Sequence, residues 1–148
     1  MTTTAKTSTT YALDPGTYLI GDPCYSFSNA LPHEVWMKWL EDTNYLDEQR
    51  ILDGSVKGMR IAASTTRHGD GTYPDQDGFM YDVDAGLLGA VRIEFLETLH
   101  PTLVGKSREE LEEATGMRVV EFDRSFHIEY DENSGRVTIG HIVISTDW

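Results

Sequence analysis

The sequence predicts an α+β fold: a bent antiparallel sheet or partial β-barrel with two helices. Three observations lead there. About six to eight short apolar runs are separated by local Gly, Asp and Pro turns, without the regular strand–helix alternation of a parallel sheet. Only two segments carry helical spacing together with helix start or stop signals. The chain has 148 residues, 39% hydrophobic and 10% aromatic, enough to bury the core of one ordinary domain and hardly two.

The opening residues, Met1–Thr10, hold six threonines and one serine and supply little to bury. They are expected to be a disordered tail over 1–10, followed by a single domain over 11–148. Asp14-Pro15-Gly16 is turn chemistry ahead of a short strand, Thr17–Ile20, which Gly21-Asp22-Pro23 ends. From Leu31 to Leu46 the residues Val35, Trp36, Trp39, Leu40 and Tyr45 recur near helical spacing. Pro32 and Glu34 suit a first turn behind a cap at Ser28 or Asn29. The indoles are large apolar loads that dock such a helix onto a sheet. Asp47–Gly58 reads as loop or ragged strand, and Met59–Ser64 as a strand.

Thr65–Gly78 is dense in glycine and aspartate and reads as a surface loop. Phe79–Val83 and Leu87–Phe95 follow as strands around the bend Asp84-Ala85-Gly86, with Val91, Ile93 and Phe95 alternating against Arg92 and Glu94. Ser107-Arg108-Glu109-Glu110 is a capping box: the serine accepts from the third amide and the glutamate reaches back. The second helix therefore runs from about Ser107 to Thr115 and stops at Gly116. Met117–Phe122, Phe126–Tyr130 and Val137–Ser145 close the chain, the last two as an antiparallel pair across the Asp131–Gly135 turn. Trp148 is placed over an open edge.

Twelve Lys and Arg against 25 Asp and Glu give a net charge of −13, which disfavours direct binding of a polyanionic nucleic acid. One cysteine allows no internal disulfide, and no apolar stretch approaches the ~20 residues of a membrane helix. With no apolar leader segment either, the expectation is a cytoplasmic protein with no membrane contact.

Four groups of residues could carry chemistry. In Gly21-Asp22-Pro23-Cys24-Tyr25, Cys24 would be a nucleophile if His68, His127 or His141 lowered its pKa; otherwise it is a small buried hydrophobe and Asp22 closes an Asx turn. In Arg67-His68-Gly69-Asp70-Gly71-Thr72-Tyr73, glycines let a ligand approach the backbone while Arg67, His68, Asp70 and Tyr73 offer polar contacts; the competing reading is a solvated turn. Asp75-x-Asp77-Gly78 followed by Asp82-x-Asp84 offers hard oxygen ligands for a divalent cation, Mg²⁺ or Ca²⁺. An EF-hand is excluded, because the twelfth position from Asp75 is Gly86 rather than glutamate. If Tyr81–Val83 is a strand, Asp82 and Asp84 share one face, as a metal pair or as a solvated acidic face. Finally, His141 alternates with Ile139 and Val143 and is expected inside, as a hydrogen-bonded core histidine or a pocket residue at a barrel mouth, while His127 shares a face with Glu129. Walker, zinc-protease and nucleophile-elbow signatures are absent from the sequence.

Pro15–Tyr25, taken with Gly69-Asp70-Gly71-Thr72-Tyr73 and Tyr81–Gly89, resembles a group of small bacterial and bacteriophage proteins, and its Val83-Asp84-Ala85-Gly86 element is similar to a larger bacterial family of unknown function. The resemblance implies a phage or bacterial accessory protein and points to Asp22, Cys24, Tyr25, Asp70, Tyr73, Asp82 and Asp84.

Three functions are compatible with these features. The first is capture of a small ligand, such as a nucleotide-type signal in a counter-defence role, with Arg60, Arg67, Arg92, backbone amides or a cation meeting any phosphate. The second is a metal-dependent phosphoester hydrolase using Asp70, Asp82 and Asp84 with His68 or His141 as acid or base. The third is an acidic module that binds a host protein or mimics a nucleic acid.

Overall fold

The computed structural model describes residues 7–24, 33–43, 50–56, 58–84 and 86–146. Their strands are β1 (Thr7–Thr9), β2 (Gly16–Gly21), β3 (Ile51–Val56), β4 (Met59–Thr65), β5 (Gly71–Pro74), β6 (Met80–Val83), β7 (Leu87–Arg92), β8 (Arg118–Phe122), β9 (Ile128–Asp131), β10 (Arg136–Ile139) and β11 (Ile142–Ser145). The helices are α1 (His33–Asp42), α2 (Ile93–Leu99) and α3 (Arg108–Thr115), with a short 3₁₀ turn at Pro101–Leu103. Every strand pairing is antiparallel. The fold is α+β, as expected, but its strands form three sheets: β3-β4-β7-β2-β8, β1-β9-β10-β11 and the hairpin β5-β6.

The five-stranded sheet is buried on both faces, and strand alternation divides its side chains between two cores. Tyr18 and Ile20 of β2, Ala62 of β4, Leu88 and Ala90 of β7, and Val120 and Phe122 of β8 face one core. There they meet Ile128, Tyr130, Val137, Ile139, Ile142 and Ile144 of the four-stranded sheet, and Tyr73, Tyr81 and Val83 of the hairpin. Leu19, Leu52, Ile61, Ala63, Leu87, Val91 and Val119 face the other core, against Trp39, Phe95, Leu96, Leu111 and Met117. Helices thus cover one side of the central sheet and strands the other.

The described part of the predicted tail is ordered. Thr7–Thr9 pair with Asp131–Glu129 of β9, and Thr10 is buried, its hydroxyl accepting from the Ile128 amide at 3.1 Å. A strand edge recruits main-chain groups, so a threonine run needs no apolar content to join one. Within the predicted loop or ragged strand at 47–58, Ile51–Val56 form β3, and the Thr65–Gly78 loop contains β5, paired across from β6. The predicted strand Leu87–Phe95 ends at Arg92: adjacent Phe95 and Leu96 are both buried, a pattern α2 satisfies and an alternating strand does not. Val137–Ser145 is two strands folded over Gly140-His141, with Ile139 opposite Ile142. Gly140 has φ +60°, and a Cβ there would stand 2.5 Å from the Phe122 ring, so the site takes only glycine without rearrangement.

Helix α1 presents Trp39 to the second core, while Met37 is exposed. The proposed caps Ser28 and Asn29, the residues Tyr25, Tyr45 and Leu46, and Trp148 lie outside the described residues. The capping box at α3 is present in both directions, and Gly116 ends the helix in the left-handed region at φ +71°. No helix among the described residues is long and apolar enough to cross a membrane.

Candidate functional site

Strand β2 separates two polar regions. Beyond its Gly21 end, Asp22 is fully buried. One carboxylate oxygen accepts from the Cys24 amide at 3.0 Å, which is the Asx turn, and the other accepts from the Asp84 amide at 2.8 Å. Asp22 therefore ties the end of β2 to the loop after β6. That loop in turn meets the glycine-rich one, as the Thr66 amide donates to the Gly86 carbonyl at 3.1 Å. The end of β2, the loop after β6 and the glycine-rich loop are thus joined in series, by one carboxylate–amide hydrogen bond and one main-chain hydrogen bond.

Within this convergence the candidate ligand residues engage the protein itself. Tyr73 is fully buried, its hydroxyl donating to the Gly69 carbonyl at 2.9 Å and closing the loop. The Arg67 guanidinium donates to the Glu132 carbonyl, and its amide to the Thr146 hydroxyl at 3.1 Å. Asp82 accepts from its cross-strand neighbour Thr72 at 3.0 Å. Asp82 and Asp84 are exposed on one face, with Tyr81 and Val83 buried on the other, as the alternation predicts. His68 and Asp70 are exposed, and the Cys24 thiol is half-buried. Among the described residues, no group of three or more His, Cys, Asp or Glu side chains is placed to hold a metal ion.

Next to it lies a cluster the sequence reading did not assemble. The Asp75 carboxylate is shielded from solvent and accepts from the Tyr81 hydroxyl at 2.7 Å, the Asp77 and Phe79 amides at 2.9 and 3.0 Å, and the Arg118 guanidinium at 2.5 Å. Arg118 also reaches Asp77 at 3.0 Å. Burial works against ionising Asp75, but these hydrogen bonds outweigh it and hold the carboxyl below the usual carboxylate range. Burial and the adjacent Asp75 carboxylate push the Tyr81 phenol up. Arg118 is partly desolvated, yet Asp77, Asp75 and Tyr81 keep it firmly protonated. The cluster pins the β5–β6 hairpin to β8.

The other arginines considered for phosphate are also committed. Arg60 forks onto Asp53 at 2.9 and 2.5 Å and donates to the Ala12 carbonyl at 2.7 Å. Arg92 stacks over Tyr18 at 5.3 Å and reaches Glu94 and the Pro15 carbonyl, each at 3.3 Å.

At the Gly16 end of β2, which pairs with Phe122, the surface is different. A groove of about 540 Å³ opens between the end of β8, the loop to β9 and the β10–β11 turn. Phe122 and Phe126 stack in its wall at 3.8 Å and 14°, each met edge-on by Tyr18. His141 is exposed on the Gly140-His141 turn and lies 5.3 Å from Phe122, so its predicted inward position is wrong; the turn at Gly140 interrupts the alternation that placed it inside. His127 is held alongside by the Gly140 amide, which donates to the His127 carbonyl at 3.0 Å. Glu121, Asp123 and Glu129 add three exposed carboxylates to the lining, with Thr138, Ser125 and one guanidinium, Arg124, beside Asp123 at 3.5 Å. With a rise of about 3.3 Å per residue, β2 sets this groove roughly 20 Å from Asp22. His141 is therefore not brought to Asp22, Asp70 and Asp84. Apart from the two histidines, nothing in the sequence singled out the groove residues; the Phe122–Phe126 spacing was the one available signal.

Compared with protein-family models, with curated proteins and with solved structures, the chain finds no match in any of the three.

Proposed function

We propose that the protein is a ligand-binding accessory protein of phage or bacterial type whose recognition site is the groove between β8, the 123–127 loop and the β10–β11 turn. The observation that carries this reading is the lining: a stacked aromatic pair, two imidazoles and hydroxyls in a space of about 540 Å³, a size and polarity suited to an organic ligand. We read the two large sheets as walls of a partial barrel, with the groove at one mouth.

Charge sets the ligand class. Three carboxylates face one arginine, so the groove favours a neutral or cationic ligand over a phosphate. For a nucleotide-type signal this means the nucleoside part rather than the phosphate chain. The metal-dependent hydrolase has less support, since Asp82 is engaged by Thr72 and Asp84 lies by the Asp22 staple.

Two-dimensional NMR titration with nucleosides, nucleotides with and without magnesium, and small organic cations tests the proposal. Neutral and cationic members should shift the resonances of His127, His141 and Phe122. A panel that moves none of them would rule out a small organic molecule as the ligand of the groove.

A further inference from the structure

We infer that the ligand of this groove is a short, extended, basic segment of another polypeptide, which adds as a strand to the outer edge of β8 at Glu121. The inference rests on the groove being the binding site and specifies what it takes. β8 is an edge strand, paired with β2 on one side only. At Val119, opposite Leu19, the outward main-chain groups are taken by side chains of α3: the amide donates to Glu112 at 2.9 Å, and the carbonyl accepts from Arg108 at 2.6 Å. A carboxylate and a guanidinium thus stand where a neighbouring strand would supply a carbonyl and an amide, and block the edge there.

Strand periodicity turns Glu121 to the same side as Val119. Its amide and carbonyl point to the outer edge, where they meet no hydrogen-bonding partner among the described residues. This open stretch borders the groove, of which Glu121 and Phe122 are part. An added strand gains main-chain hydrogen bonds from the edge and specificity from alternate side chains. Here one side chain would rest on the Phe122–Phe126 pair, and flanking lysines or arginines would meet Glu121, Asp123 and Glu129. The same carboxylates, on a chain of net charge −13, oppose a second copy in this position.

The probe is a short acetylated peptide alternating lysine and valine, compared with the same peptide N-methylated at each internal residue, which keeps charge and side chains but loses its main-chain donors. Calorimetry should show binding of the first and about tenfold or more weaker binding of the second. Amide exchange at Glu121 should slow on binding, while Val119, already covered, stays unchanged. Glu121→Pro removes a donor that β2 does not use and should abolish binding; its thermal unfolding reports whether the fold is kept. Equal affinity for both peptides, or no protection at Glu121, overturns strand addition while leaving the groove as a charged site. Binding of nucleosides or organic cations without the peptide does the same. A dimer in sedimentation that protects Glu121 overturns it in favour of a second copy. Silence from every probe removes the groove as well.

Discussion

At the Gly21 end of β2, Asp22 and Asp75 are buried carboxylates whose oxygens accept from main-chain amides, a phenol and a guanidinium, whereas at the Gly16 end Glu121, Asp123 and Glu129 face solvent around a groove. Residue types are similar at both ends. What differs is whether the polar atoms are used up by the fold. Buried groups must be hydrogen-bonded, so motifs dense in Gly, Asp and Tyr can be built wholly for closing loops, and the surface that can still recognise something lies elsewhere.

The contrast can be broken most forcefully at Arg118. Arg118→Ala leaves the buried Asp75 carboxylate without its cation and should cost ~3–5 kcal/mol in urea unfolding. A loss under ~1 kcal/mol would put this pair among solvated surface bridges instead. The same carboxylate gives a pH signature. Its folded pKa is depressed, so its stabilising contribution is complete above the unfolded value of ~3.9 and is lost as pH falls through the lower folded value. The stability difference between the native chain and Asp75→Asn should therefore be flat at neutral pH and shrink below about pH 4; a difference that grows on acidification contradicts the assignment.

Asp22→Asn is the next step down. An amide offers one acceptor oxygen where two amides, of Cys24 and Asp84, now donate, so about 1–3 kcal/mol should be lost. Hydrogen exchange should accelerate at the amide left facing the new NH2 group; unchanged exchange at both Cys24 and Asp84 would deny the staple between the β2 and β6 ends. Smallest in stability are Glu129→Gln and His141→Ala in the groove, each within ~0.5 kcal/mol by thermal unfolding. Both should nevertheless weaken binding of the lysine–valine peptide. A large loss of stability there would mean that the groove, like the opposite end, serves the fold.

What could be read from the sequence was local. The capping box at Ser107, the turn around Asp14-Pro15-Gly16 and the alternation placing Tyr81 and Val83 inward each depend on residues a few positions apart. What could not be read depended on distant partners. Arg118 lies 43 residues from Asp75, so no spacing rule pairs them. Thr7–Thr9 form a strand because β9 offers an edge, and β9 is more than a hundred residues away in sequence. Ile93–Leu99 fits both a strand and a helix period until Phe95 and Leu96 are both required by one core. His141 obeys the alternation of a continuous strand, and only the pairing of Ile139 with Ile142 shows that the chain turns there. The groove follows the same rule: Glu121, Arg124 and Glu129 mean little until β8, β9 and the β10–β11 turn are side by side.

The docking of Thr7–Thr10 along β9 has a practical corollary. Any nick that released those few residues would unzip a row of backbone donors and acceptors beside Tyr130 and strip the Ile128 amide of its threonine cap. A trimmed preparation would thus gain a sticky seam and clump.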